Sequence, residues 1–141
     1  MLLRNLAPMT KMICLYGITA LIFLALDALW LGKVATGFYK AELGALLRPR
    51  PDLAIALGFY LLYVVGIVGF VSMPALEAGS PLRALLAGAL FGLIAYATYD
   101  LTNLSTLQGF TWRVAVVDMA WGTFVTAVSA FCGVWLVQKF T

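Results

Sequence analysis

Three aspartates stand inside or beside long uncharged runs of the sequence, where a charged side chain is rare. They are Asp27, Asp100 and Asp118. An aspartate at the centre of a membrane span costs about 2.5–3.5 kcal/mol on insertion scales, so such side chains turn inward and find partners. Carboxyl groups can act as general acid or base, hold a hard cation, or accept hydrogen bonds from a ligand. A polar site would therefore be built around these three residues.

Other polar or aromatic residues share a helical face with each aspartate. Residues three or four positions apart lie on the same side of a helix, and each aspartate has such neighbours. This spacing predicts that the bundle interior contains one candidate polar site. The site comprises Asp27, Trp30, Tyr96, Asp100, Asn103, Asp118 and Trp121.

The same residue patterns also have purely structural explanations. A Gly88-x-x-x-Gly92 spacing usually means close helix packing. Trp30 and Trp112 are typical of the aromatic belt at a membrane interface. The aspartates could cap polar groups of neighbouring helices or pair with flanking cations. A structural role for all three therefore stays open at this stage.

The composition requires lipid as the main solvent of this chain. Apolar residues make up 64% of the 141 residues and charged residues only 11%, against about 25% charged in a soluble domain. The mean hydropathy is +1.02. A membrane span needs about 20 apolar residues. We expect one all-α transmembrane domain over residues 1–141, with four spans at about 12–31, 53–73, 82–107 and 113–137; the first is too long for a signal-peptide core of about 7–15 residues.

The segment between the first and second spans is too polar to cross a membrane. Within it Val34, Phe38, Leu43 and Leu46 recur at roughly helical spacing, which predicts a short helix lying in the interface. The Arg-Pro-Arg-Pro string at residues 48–51 ends that helix, because proline lacks a donor and restricts its predecessor.

Alternating span directions place the three aspartates in the same leaflet, roughly 8–12 Å inside the boundary at 1.5 Å per residue. Basic residues do not settle the orientation, although four crowded into one loop slightly favour the face opposite the termini as cytoplasmic. The face with the termini has Arg4, Lys11, Arg83 and Lys139; the opposite face has Lys33, Lys40, Arg48, Arg50 and Arg113.

The sequence predicts no cofactor and no metal site. Histidine is absent and there are two cysteines, whereas haem, zinc and non-haem iron sites use histidine or several cysteines. Cys14 and Cys132 fall toward the same face, so a disulfide stays open, and two packing thiols are favoured. The net charge of +3 indicates membrane lipids as partners rather than nucleic acid. A homodimer or a larger membrane complex is also open.

Five strings of the sequence resemble the signature of a bacterial membrane-protein family catalogued as domain of unknown function 2177. The strings are LDALWLG at residues 26–32, GFYLLY at 58–63, PAL at 74–76, YATYDLTNL at 96–104 and VDMAWGT at 117–123. The resemblance covers the chain from the first span onward. It implies a multi-pass protein of the bacterial inner membrane, and it assigns no catalytic residue.

Three functions fit a polar site in one leaflet. The first is binding of a lipid headgroup, a small amphiphile or a partner helix. The second is a membrane-embedded, lipid-modifying enzyme whose aspartates act as acid and base or hold Mg²⁺. The third is proton- or ion-coupled transport, although all three aspartates fall in one leaflet. We rank binding first, and whether the chain is an enzyme stays open.

Overall fold

The computed structural model describes residues 7–141, so Arg4 lies outside the described residues. Within that range the chain is almost wholly helical and has no strand. Four of its helices are long and apolar enough to cross a membrane, which confirms the predicted all-α bundle. They are α1 (Pro8–Leu46), α2 (Leu53–Glu77), α3 (Pro81–Thr106) and α4 (Trp112–Phe140).

Helix α1 is much longer than the predicted span. It is α-helical over Pro8–Leu29, widens into a π-helix over Trp30–Ala35, returns to α-helix over Thr36–Leu43 and ends in a 3-10 turn at Gly44–Leu46. The hydroxyl of Thr36 donates to the carbonyl of Leu31, five residues earlier, which is the spacing of a π turn. The structure therefore does not confirm a separate interfacial helix, because that segment continues α1.

Helix α2 passes through Pro74, which directly follows the predicted span 53–73. A proline ring clashes with the carbonyl four residues earlier, here Phe70, and removes one hydrogen bond. The helix widens into a π-helix over Val68–Ser72 directly before Pro74 and continues to Glu77. A wider turn accommodates the ring, so the proline does not stop the helix.

Side-chain caps fix where the last three helices begin. Asp52 accepts hydrogen bonds from the backbone N–H groups of residues 54 and 55 at the start of α2. Ser80 and Thr111 each accept one from the N–H three residues later, at α3 and α4. Pro81 occupies the first turn of α3, where a residue without a backbone N–H leaves no helical hydrogen bond unmade.

Helix α4 is the most buried of the four spans and packs closely on α3. A Cβ atom at Gly88 would lie 3.1 Å from the Cα of Ala127, and one at Gly92 would lie 2.7 Å from the side chain of Thr126. The two glycines therefore let the helix backbones approach, which confirms the packing explanation of their spacing.

The bundle is tightly packed at one end and wedged open at the other. At the closed end, where α1 and α3 begin and α2 and α4 finish, the core contains Leu15, Val71, Ala84 and Val134. At the open end, the first half of α2, Leu53–Ile67, packs its backbone mainly on α1, whereas the second half also packs on α3 and α4. The splay of α2 leaves room for a cavity. The two cysteines are free and half-buried.

Candidate functional site

A cavity of about 570 Å³ lies at the open end, and all four helices line it. We call it the inner cavity. Its walls are mostly aromatic, and two carboxyl groups lie among them. The lining residues are Asp27, Trp30, Leu31, Tyr39, Ala56, Phe59, Tyr60, Tyr63, Ala95, Tyr96, Thr98, Tyr99, Asp118 and Trp121. Five of the seven residues named from the sequence are among them.

Asp27 is nearly buried and both of its oxygens accept hydrogen bonds. It lies on α1 with 5% of its surface exposed. The indole N–H of Trp121 on α4 donates to Oδ1 at 3.0 Å, and the hydroxyl of Tyr60 on α2 donates to Oδ2. Hydrogen bonds from two helices compensate part of the cost of burying a carboxylate. They also join three spans at one point.

Asp118 is the second carboxyl group in the cavity wall. Its Oδ1 accepts a hydrogen bond from the hydroxyl of Tyr39 at 2.7 Å. That hydroxyl in turn accepts a hydrogen bond of 3.4 Å from the indole N–H of Trp30. Tyr39 belongs to the segment predicted to lie in the interface, but the extension of α1 brings it to the site instead.

Asp100 is fully buried but does not line the inner cavity. It has 0% exposure, and neither oxygen has a hydrogen-bond donor among the described residues. Its carboxyl group is a close neighbour of that of Asp118, so it stands behind the wall of the cavity. Asn103 is half-buried, lies beside Tyr99 and does not line the cavity. The structure therefore brings the three aspartates together and leaves Asn103 at the margin.

Four tyrosines of the cavity were not predicted: Tyr39, Tyr60, Tyr63 and Tyr99. The spacing of Tyr60 and Tyr63 along α2 puts them on one face, which was a usable signal. Tyr63 exchanges a hydrogen bond of 2.8 Å with the hydroxyl of Thr126 and packs edge-on against Tyr96 at 6.2 Å. Tyr99 directly precedes Asp100 in the sequence, but it does not lie three or four positions from an aspartate, so helical spacing does not predict it.

The inner cavity opens sideways between α2 and α3. Phe59 on α2 and Thr98 and Tyr99 on α3 line it and are exposed on the outer surface of the bundle. This surface belongs to spans that face hydrocarbon. The wall of the inner cavity therefore includes residues on the outer surface of membrane-spanning helices.

A second cavity of about 930 Å³ adjoins the first toward the loop between α1 and α2. We call it the outer cavity. It shares Tyr39, Tyr99 and Asp118 with the inner cavity, and it also has Lys40 and Arg48 in its wall. The side chain of Asp118 therefore lies at the junction between an acidic, aromatic chamber and a more basic one.

The donors and acceptors define what the inner cavity can bind. The part of the chain that the structure describes contains no group of three acidic, cysteine or histidine side chains that could hold a metal ion. The wall instead offers carboxylate acceptors, phenol hydroxyls and aromatic faces. Such a surface suits hydrogen-bond donors and cations more than anions.

Fold and site define a multi-pass α-helical membrane protein with an internal polar cavity. The chain belongs to the family described as "Predicted membrane protein (DUF2177)", whose model matches residues 12–135. That range contains every residue of the inner cavity. The chain has no significant match among curated proteins and none among solved structures.

Proposed function

We propose that the protein binds one amphiphilic molecule, a lipid or a small amphiphile, drawn from a single leaflet of a bacterial inner membrane. The observation that carries the proposal is the inner cavity, whose carboxyl groups lie inside the bundle while its mouth opens between α2 and α3. Pockets of about 300–1,000 Å³ with apolar walls and a few placed polar groups are typical of ligand sites.

The polar end of such a molecule would meet Asp27 and Asp118. Its apolar end would leave past Phe59 and Tyr99, which border the mouth. In this arrangement the site forms hydrogen bonds with the polar end of the molecule, while the apolar end stays in hydrocarbon. Neither end of the molecule is then desolvated without compensation. Membrane lipids are thus the proposed partners, and the sequence leaves a homodimer or a larger complex open.

A pair of tryptophan variants tests the proposal. Ala56 lines the inner cavity, whereas Ala54 is exposed and does not line it. Ala56→Trp should fill the cavity, and Ala54→Trp should add the same side chain to the outer surface. Native mass spectrometry of the purified proteins should show a discrete bound molecule on the wild type and on Ala54→Trp, and its loss on Ala56→Trp. Bulk lipid alone, equal in all three proteins, contradicts the proposal.

A membrane-embedded, lipid-modifying enzyme is the second candidate. The observation in its favour is Asp100, a buried carboxyl group without a hydrogen-bond donor that lies beside Asp118, because paired carboxyl groups are a common arrangement for acid–base catalysis. For the version that uses Mg²⁺, the described residues contain no cluster of three or more acidic, cysteine or histidine side chains that could hold the ion. Conversion of the bound molecule over time in the same mass spectra would favour the enzyme over simple binding.

Transport through the site has less support. Both cavities lie at the open end, whereas the closed end is filled by the core that includes Leu15 and Val134. A path to the other leaflet would require helices to separate at the close α3–α4 contact or at another helix–helix contact of the closed end. Equal proton or ion flux through proteoliposomes of the wild type and of Asp27→Asn would rule transport through this site out.

A further inference from the structure

Acidic side chains, and no basic ones from the described part of the chain, line the inner cavity. Asp27 and Asp118 line it, Asp100 stands behind Asp118, and no lysine or arginine of residues 7–141 is among the lining residues. Lys40 lines only the outer cavity. Carboxylates in apolar surroundings are costly unless a positive partner or several donors compensate them.

The hydrogen bonds within the site leave some of these carboxyl oxygens without a donor. Both oxygens of Asp27 have donors. Asp118 accepts from Tyr39 at Oδ1, and among the described residues no donor hydroxyl or N–H reaches Asp100, which is fully buried. Asp118 lines the inner cavity, so its carboxyl group faces that open space.

Aromatic rings line that space. Trp30 and Trp121 stack with their ring centres 4.5 Å apart, and the rings of Tyr60 and Tyr96 also line the cavity. The faces of aromatic rings attract cations, and groups of such rings are used to enclose quaternary and methylated ammonium groups. Carboxylates and ring faces together favour the same kind of ligand.

We propose that the polar end of the bound amphiphile is an ammonium group, held by Asp118 and Asp27 and enclosed by the aromatic wall. This inference rests on the proposed function, because it names the chemical class of the molecule that occupies the same cavity. A phosphate next to the ammonium group would find Lys40 and Arg48 in the outer cavity, but the inference does not require one.

The test compares three probes of equal chain length: dodecyltrimethylammonium, dodecyl glycerol ether and dodecyl phosphate. The protein is kept in a maltoside detergent, and tryptophan fluorescence reports binding. Trp112 and Trp135 are exposed and lie outside both cavities, so replacing both with Phe leaves only the cavity pair as reporters. The ammonium probe should bind at least about tenfold more tightly than the neutral one, which corresponds to about 1.4 kcal/mol. Its quaternary nitrogen has no N–H to donate, so this preference comes from charge attraction to the carboxylates and from cation–π contact with the rings.

Two carboxyl variants locate the effect. Asp118→Asn should lose most of the ammonium preference, whereas Glu77→Gln should keep it, since Glu77 is exposed at the closed end. If Asp118→Asn does not fold, Trp30→Leu removes an aromatic face and should also lower the preference. The outcomes separate the two proposals. Equal binding of the ammonium and neutral probes, or tighter binding of the phosphate, overturns the ammonium inference and keeps the proposed function; binding of none overturns both.

Discussion

Trp30 and Trp121 lie face to face across the interface between α1 and α4, with an angle of 5° between their ring planes. Each indole also donates a hydrogen bond: that of Trp121 goes to Asp27 and that of Trp30 to Tyr39. Since Tyr39 donates to Asp118, the stacked pair connects the two carboxyl groups of the inner cavity. The rings thus position the site as well as enclose it.

The two tryptophans should differ in how much their N–H groups stabilise the fold. Trp121→Phe retains an aromatic ring but removes a 3.0 Å hydrogen bond to a buried carboxylate, which we expect to cost about 1–3 kcal/mol. Trp30→Phe removes a 3.4 Å bond to a phenol and should cost about 1 kcal/mol or less. Free energies of unfolding in mixed micelles measure both. An equal loss would mean that stacking, not the hydrogen bond to Asp27, dominates.

The α3–α4 contact should rank three glycine substitutions by the space available to a methyl group. Gly92→Ala would place Cβ 2.7 Å from Thr126, and Gly88→Ala would place it 3.1 Å from Ala127, while Gly17 has nothing within 4 Å. Overpacking typically costs about 1–3 kcal/mol. We expect the loss in free energy of unfolding to lie at or above the top of that range for Gly92→Ala and near its lower end for Gly88→Ala. Gly17→Ala should cause no loss.

The same unfolding measurement checks that order. Gly17→Ala serves as the control for helix propensity, since alanine is the better helix former by about 1 kcal/mol. A loss for Gly17→Ala as large as for Gly92→Ala would contradict the close approach of α3 and α4.

The turn before α4 should depend on Thr111 and hardly on Arg113. Thr111 accepts from the N–H of Val114 and donates to Glu42 on α1 at 2.8 Å. Thr111→Val removes both bonds, with an expected cost of about 1–2 kcal/mol for the cap. Arg113 approaches Glu42 at 3.7 Å, but its side chain is 81% exposed. Arg113→Gln should therefore change stability by less than about 0.5 kcal/mol; a larger loss for it than for Thr111→Val would contradict this assignment.

The four spans and the convergence of the aspartates could be predicted because both depend on simple constraints. Hydrocarbon forces long apolar helices, and alternating crossings fix which ends of them are neighbours. Counting the crossings is enough to predict that Asp27, Asp100 and Asp118 lie at the same end of the bundle. This prediction needs no knowledge of tertiary packing.

The ends of α1 and α2 and half of the cavity wall could not be predicted, because they depend on backbone geometry and packing that residue spacing does not reveal. Two π-helical segments carry α1 past residue 31 and α2 past Pro74, although polarity and proline predicted that both helices stop. The extension of α1 places Tyr39 beside Asp118. The splay of α2, which brings Tyr60 to Asp27, results from tertiary packing, and no local residue pattern predicts it.

The pairing of Asp100 with Asp118 gives the last prediction. Asp100 is fully buried, neither of its oxygens has a hydrogen-bond donor among the described residues, and the carboxyl group of Asp118 is a close neighbour. An asparagine has nearly the same shape and can donate to Asp118 through its amide without holding a proton. We therefore expect Asp100→Asn to retain the wild-type free energy of unfolding to within about 1 kcal/mol, whereas Asp100→Ala should lose about 1–3 kcal/mol because it leaves Asp118 without that partner. If Asn and Ala destabilise the protein equally, the two carboxyl groups do not share a hydrogen bond.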